Sequence, residues 1–195
     1  MLNTRKLKEP RGRVRFLDEQ ERELLLKACR ESRSSFLYII VVFALSTGMR
    51  KGEILGLRWR DIDFHNRRIV IHETKNGERR AVPLVATSLQ LIEQLKANDF
   101  NSMDDFIFHS PEDKTKSCCI STAWEKAIKR STITDFRIHD LRHSTASYLA
   151  MNGASLLEIA DILGHKTLQM VKRYSHLSED HKATVLERMN KKVFE

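Results

Sequence analysis

The chain is 195 residues long, enough to bury one full core, and its 41% hydrophobic and 31% charged residues exclude a disordered or fibrous class. A net charge of +8 favours a polyanionic partner, because neutralising phosphates releases counterions. Cys29, Cys118 and Cys119 form neither a zinc-ligand spacing nor an even set for a disulfide framework, and fit a reducing cytosol.

Residues 1–15 carry six basic residues against one acid, with Pro10 and Gly12, and are expected to be a basic linker or arm. The start, MLNTRKLKEPRGRVR, lacks the apolar stretch of a signal peptide. Residues 16–195 are expected to form one domain. Asp18 and Glu21 stand at capping-box spacing ahead of ERELLLKAC and predict a helix. The apolar run Phe36 to Leu45 is far below the ~20 residues of a membrane span and reads as a buried helix ending at Ser46-Thr47-Gly48. RKGEILGL then makes a short helical piece before Trp59. Over 62–84 the period changes: IDF, RRIVIH and RRAVPL are short strands separated by polar turns. From Thr87 the chain is helical again, with a strand-like piece at Phe106-Ile107-Phe108. Helices are expected at roughly 121–130, 139–152, 155–163, 167–175 and 179–190. The expected fold class is mostly α with a small antiparallel three-stranded β-sheet (α+β).

Four clusters carry chemistry. Arg50 and Glu53 lie one turn apart after Thr47-Gly48, and Lys75 sits at the turn of the hairpin Thr74 to Arg80. His139 and Arg142 share a helix face at i and i+3 in HDLRH, with His143 beside them. His165 follows Leu163-Gly164 and precedes Tyr174 by nine residues. Each alone has an ordinary explanation as a surface charge, a solvated lysine or a packed ring. Two arginines, two histidines, a lysine and a tyrosine together suit attack on a phosphodiester. Guanidiniums stabilise charge on the non-bridging oxygens, and histidines hydrogen-bond those oxygens or move protons. A tyrosine hydroxyl is a nucleophile once it loses its proton, and a lysine ammonium can protonate the departing sugar oxygen.

In this order the clusters resemble the motifs of the tyrosine recombinase or phage integrase family. TGMRKGEILGLRWRDID is similar to its first arginine box, TKNGERRAVPL to its hairpin lysine segment, and HDLRHSTASYLAMNGASLLEIADILGH to its second box. The interval from His165 to Tyr174 matches its nucleophile box. The resemblance implies that Arg50 and Arg142 clamp the scissile phosphate while His139 and His165 hydrogen-bond it or shuttle protons. Lys75 would protonate the 5′ oxygen and Tyr174 would form a 3′-phosphotyrosyl link. Glu53 and His143 would support the site, and His176 would buttress a neighbour. The family's frequent threonine three residues before the tyrosine is Val171 here. The resemblance implies a helical core-binding domain before this one; only the basic arm stands ahead of the first helix here, so the N-terminal core-binding domain is expected to be absent and the chain an excised domain or a naturally short member.

The resemblance further implies a site-specific recombinase of cytoplasmic, nucleoid-associated action that needs no cofactor, metal or ATP. Its partners would be double-stranded DNA, a homo-tetramer assembled on it and DNA-bending accessory proteins, with no membrane. Other readings remain open at this point. Residues 155–174 imitate the helix-turn-helix of a non-enzymatic regulator, with Lys166, Thr167 and Gln169 facing bases. Asp61 and Asp63 on one strand face would suit a metal-dependent nuclease. A type IB topoisomerase shares the tyrosine chemistry. The last segment, HKATVLERMNKKVFE, is expected to be an amphipathic helix that docks onto a neighbouring protomer.

Overall fold

The computed structural model of the protein describes residues 14–72 and 80–194. Along them run α1 (Glu19–Arg30), α2 (Leu37–Thr47), α3 (Lys51–Leu55), β1 (Ile62–Asp63), β2 (Arg68–Ile71) and β3 (Arg80–Pro83). There follow α4 (Ala86–Asp99), α5 (Ser121–Ser131), α6 (Asp140–Met151), α7 (Leu156–Leu163) and α8 (Glu179–Phe194). Three 3-10 turns occupy Trp59–Asp61, Leu168–Met170 and Lys172–Ser178. The strands form one antiparallel sheet in the order β1-β2-β3. The architecture is the mostly helical one with a small sheet that the pattern predicts. Lys75 and the rest of its hairpin turn lie outside the described residues.

Asp18 caps α1 by accepting the Glu21 N–H at 2.8 Å, and the Glu21 carboxylate accepts the Asp18 N–H at 3.2 Å. Two otherwise unpaired N-terminal donors are thereby satisfied. Arg15 pairs with Glu21 and lies over the Phe136 ring, so the last residue of the basic arm is already fixed to the domain. Helix α2 is apolar nearly all round because α1, α4 and α6 pack on it from different sides. Leu37, Ile40, Val41, Phe43 and Ala44 are all buried there. In the sheet, Ile69 and Ile71 alternate with outward residues, and Ile69 pairs with Val82 to close one inner face. The strand-like piece at 106–108 stays outside that sheet. It is held by single bridges, Arg58 to Phe106 and His109 to Ser117, and by Ile107 N–H to Leu57 O at 2.9 Å.

A second, smaller core brings α6, α7 and the 3-10 turns together through Ala146, Ala150, Ile159, Ala160, Leu163, Val171 and Tyr174. Ser155 caps α7 in a capping box with Glu158, and Gly164 ends it in the left-handed region at φ +64°. The expected α-helix over 167–175 is not formed; two 3-10 turns take its place. The reason is packing. At three residues per turn, i and i+3 share one edge, so Val171 and Tyr174 both face inward. The bond from Tyr174 N–H to Val171 O at 2.9 Å is the corresponding i to i−3 link. Val171, which has no hydroxyl to offer, instead fills core space. Among the described residues no helix is long and apolar enough to cross a membrane.

Candidate active site

Two arginines reach the site from neighbouring turns. Arg50 is the N-cap of α3, where extended backbone (ψ 147°) follows the left-handed Gly48. Glu53, three residues on, accepts both the Arg50 N–H and its Nη1 at 2.8 Å. Arg142 comes from the buried face of α6 and is itself buried. Its Nη1 donates to Gly48 O at 2.7 Å and its Nη2 to Leu163 O, so one guanidinium ties the end of α2 to the end of α7.

A third arginine, absent from the sequence-derived set, completes the cluster. Arg80 opens β3 and donates through Nη2 to Glu53 at 2.7 Å and through Nη1 to Ile162 O at 3.3 Å. In the sequence it looks like one member of a basic run in a strand, and only the pairing with Glu53 distinguishes it. Two guanidiniums thus pair with one carboxylate, and the third, Arg142, lies within the same electrostatic field. Burial raises the Glu53 carboxyl, but hydrogen bonding by Arg50 and the charges of Arg80 and Arg50 carry it below its ordinary value. Arg142 is pushed down to about 9 by burial and by the charges of Arg50 and Arg80, and so stays a cation at neutral pH. The surplus positive charge is suited to an anion.

The histidines line the same field. His139 is the N-cap of α6, exposed at its tip, with its ring edge-on to that of His143 at 5.5 Å. Surrounding protein and Arg142 lower its basicity, while Asp140 opposes the shift. His165 follows the Gly164 turn, and its Nδ1 is buried without a hydrogen-bond partner among the described residues. Burial, with Arg142 and Arg50 next in weight, holds it at about 4. His143 is also held at about 4, by burial first and then by His139. At neutral pH both rings are uncharged.

Tyr174 is 1% exposed and its hydroxyl hydrogen-bonds His143 Nδ1; in the tautomer with the ring proton on Nε2, that nitrogen accepts the hydroxyl hydrogen. Burial raises the phenol's pKa, and the charges of Arg173 and Arg142 oppose that shift. The arrangement therefore has a guanidinium cluster suited to an anion, two neutral histidines and a sheltered tyrosine hydroxyl in one place. Of the sequence-derived residues it brings together Arg50, Glu53, His139, Arg142, His143, His165 and Tyr174. His176 is exposed in the turn beyond.

The other readings fare differently. Two 3-10 turns rather than an α-helix follow the Gly164 turn over residues 168–178, so the helix-turn-helix imitation at 155–174 lacks a recognition helix. Asp61 lies in a 3-10 turn capping the Arg58 N–H, and Asp63 is engaged by Asn66 and Arg68. These two carboxylates serve local structure rather than one shared strand face.

The phage integrase family model matches residues 15–181. The chain is 36% identical over 174 residues to a shufflon-specific DNA recombinase of Escherichia coli, a match covering 89% of this chain and 43% of that protein. It is 33% identical over 189 residues to the integrase of Salmonella phage P22, covering 90% and 47%. The chain thus spans less than half the length of these relatives. The catalytic domain of bacteriophage HP1 integrase superposes with a TM-score of 0.70 at 26% identity, covering 90% of this chain and 95% of that one. A sequence match over most of the chain and a shared catalytic-domain fold agree: the chain belongs to the phage integrase family.

Proposed function

We infer that this domain cleaves and rejoins double-stranded DNA as a site-specific recombinase, using Tyr174 as nucleophile. One observation carries the reading: Arg50 and Arg80 share the single carboxylate of Glu53, with Arg142 in the same charge cluster, beside a buried tyrosine bonded to a neutral histidine. A phosphodiester supplies the missing negative charge. Arg50 and Arg142 would hold its non-bridging oxygens, with His139 and His165 adding hydrogen bonds.

In the forward step the Tyr174 oxygen bonds to phosphorus and the bond from phosphorus to the 5′ oxygen breaks. The phenolic proton leaves toward His143 Nδ1, the hydrogen-bond partner of the hydroxyl, in the tautomer with its ring proton on Nε2; the basicity of that nitrogen rises as the phosphate brings negative charge nearby. The 5′ oxygen takes a proton, a role the family resemblance assigns to Lys75. Rejoining is the reverse with a new 5′ hydroxyl. One ester replaces another, so the energy of the broken bond is conserved in the phosphotyrosyl link. Exchange between two duplexes requires four such cleavages and hence a homo-tetramer on DNA. The substrate locates that action on nucleoid DNA in the cytoplasm, where DNA-bending accessory proteins would shape the duplex.

Covalent trapping tests the reading. Labelled DNA carrying a mapped site is incubated with the protein in EDTA, with the upstream domain of the relatives supplied, quenched with SDS and resolved on a denaturing gel. A shifted band that disappears in Tyr174→Phe is expected. A wild-type sample with no band, or a band that persists in Tyr174→Phe, overturns it.

A further inference from the structure

Arg80 belongs to neither of the two arginine boxes, yet its guanidinium joins the carboxylate that holds Arg50 to the end of α7. Glu53 is shared: one oxygen takes Arg50 Nη1, and the other takes Arg80 Nη2 at 2.7 Å as well as the Arg50 N–H. The side chains of Arg80 and Glu53 are only 12% and 10% exposed, so this is an enclosed contact rather than a solvated ion pair. The other Arg80 nitrogen donates to Ile162 O. Ile162 and Leu163 close α7, and the carbonyls of a last helical turn lack intrahelical partners and carry the negative end of the dipole. Each receives one arginine, Ile162 from Arg80 and Leu163 from Arg142.

The contact continues into the turn before His165. A Cβ on Gly164 would lie 2.4 Å from Arg80 Nη1 and 2.8 Å from its Cδ, so the arginine lies directly on the glycine backbone. Gly164 is thereby constrained twice, by its φ of +64° and by this close approach. Arg80 Nε is buried with no partner among the described residues. A side chain that forgoes a hydrogen bond in order to stay buried is retained for what it holds. Both terminal nitrogens have protein acceptors, one on Glu53 and one on the end of α7, so the side chain links these two elements.

We propose that Arg80 is a positioning residue that braces Arg50, through Glu53, against the Gly164–His165 turn. Its loss slows phosphotyrosyl formation without weakening DNA binding. The proposal rests on the recombinase reading for its chemistry and on this structure for its geometry. Without Arg80, Glu53 has Arg50 alone among its cationic partners, and the Arg50 guanidinium is drawn onto the carboxylate. The α7 end is then held by Arg142 only, and the His165 ring loses its fixed direction.

The experiment compares wild type, Arg80→Ala, Arg80→Lys and Glu53→Gln in three measurements: DNA affinity, the rate of adduct formation at saturating protein, and the His165 Cε1–H resonance across a pH titration. For Arg80→Ala the expected result is an affinity within about twofold of wild type and a rate lower by about 10- to 100-fold, the cost of misplacing a reacting group. The lysine variant, keeping one charge but not the flat fork, falls between. Arg80→Ala and Glu53→Gln combined should be no slower than the worse of the two, because both release the same brace. The His165 resonance should move in Arg80→Ala, and its titration should shift to higher pH as a neighbouring positive charge is removed. An unchanged rate, additive losses, or affinity falling in step with rate overturns the brace. Should the wild type form no adduct, the recombinase reading fails by itself, and an unmoved His165 resonance still overturns the brace. Should Arg80→Ala not fold, Arg80→Lys is judged by the same criteria.

Discussion

At the scale of single residues, the site is governed by uncompensated positive charge. Histidines beside three guanidiniums cannot easily be charged, and this has a consequence for stability. His143 and His165 are each held at about 4 in the folded protein, against an ordinary value of about 6.5. Between those values the unfolded chain binds more protons than the native one, so stability is full above pH 6.5 and falls as the pH drops toward 4. Each histidine contributes on the order of 1–3 kcal/mol to that loss. Melting temperature measured in steps from pH 7 to pH 4 should decline, and His165→Gln should flatten the decline. A wild type whose melting temperature holds constant over this range would contradict the assignment. The tyrosine's shelter is of the same kind: His143 can accept the Tyr174 hydroxyl because the ring is neutral.

At the scale of elements, the helix ends build the site. The left-handed Gly48 closes α2, and its carbonyl holds Arg142; the left-handed Gly164 closes α7 and leads to His165. A Cβ at Gly48 would lie 2.3 Å from Leu163 Cδ2, and the backbone there has φ +63°. Gly48→Ala therefore combines about 1–2 kcal/mol of left-handed strain with about 1–3 kcal/mol of overpacking. It should also slow adduct formation, because Arg142 hangs from the same residue. Gly52→Ala is the matched control, since nothing lies within 4 Å of its added Cβ and α3 gains an ordinary helical residue. Chemical denaturation of the two variants should separate them by at least about 2 kcal/mol; equal midpoints and slopes would refute the packing argument. The 3-10 turns belong to this scale too. A regular α-helix over 167–175 would rotate Tyr174 away from Val171 and out of the second core.

At the scale of the whole molecule, the described apolar side chains of the C-terminal helix lie outside the two cores. Leu186, Met189, Val193 and Phe194 are exposed, Phe194 at 76%, whereas comparable side chains in α1 or α5 face the core. The expectation that this tail docks onto a neighbouring protomer follows from that apolar surface, which a second copy would remove from water. Solution scattering with and without DNA, on the full chain and on a chain ending at residue 185, checks it. Assembly on DNA should be lost in the shortened chain while single-site cleavage persists. A shortened chain that assembles as the full one does removes the tail from the interface.

How much of this was legible in the sequence differs from residue to residue. Asp18 and Glu21 mark the start of α1 because a capping box is local in sequence, and the Ile69 to Val82 pairing follows from period-two alternation. The order of the arginine, histidine and tyrosine clusters points to phosphodiester chemistry, because chemistry is a property of residue types. The helix expected over 167–175 was misread because the tertiary demand that Val171 and Tyr174 face one core overrides local propensity. Arg80 was passed over because its partners, Glu53 and Ile162, are 27 and 82 residues away. The sequence by itself thus determined the fold class and most of the elements and supplied the candidate reactive groups, all of which depend on short-range pattern and side-chain chemistry. Only the tertiary structure decided which guanidinium braces which carbonyl, how Tyr174 is sheltered and which histidines stay neutral, since burial and long-range electrostatic contact exist only once distant segments have met.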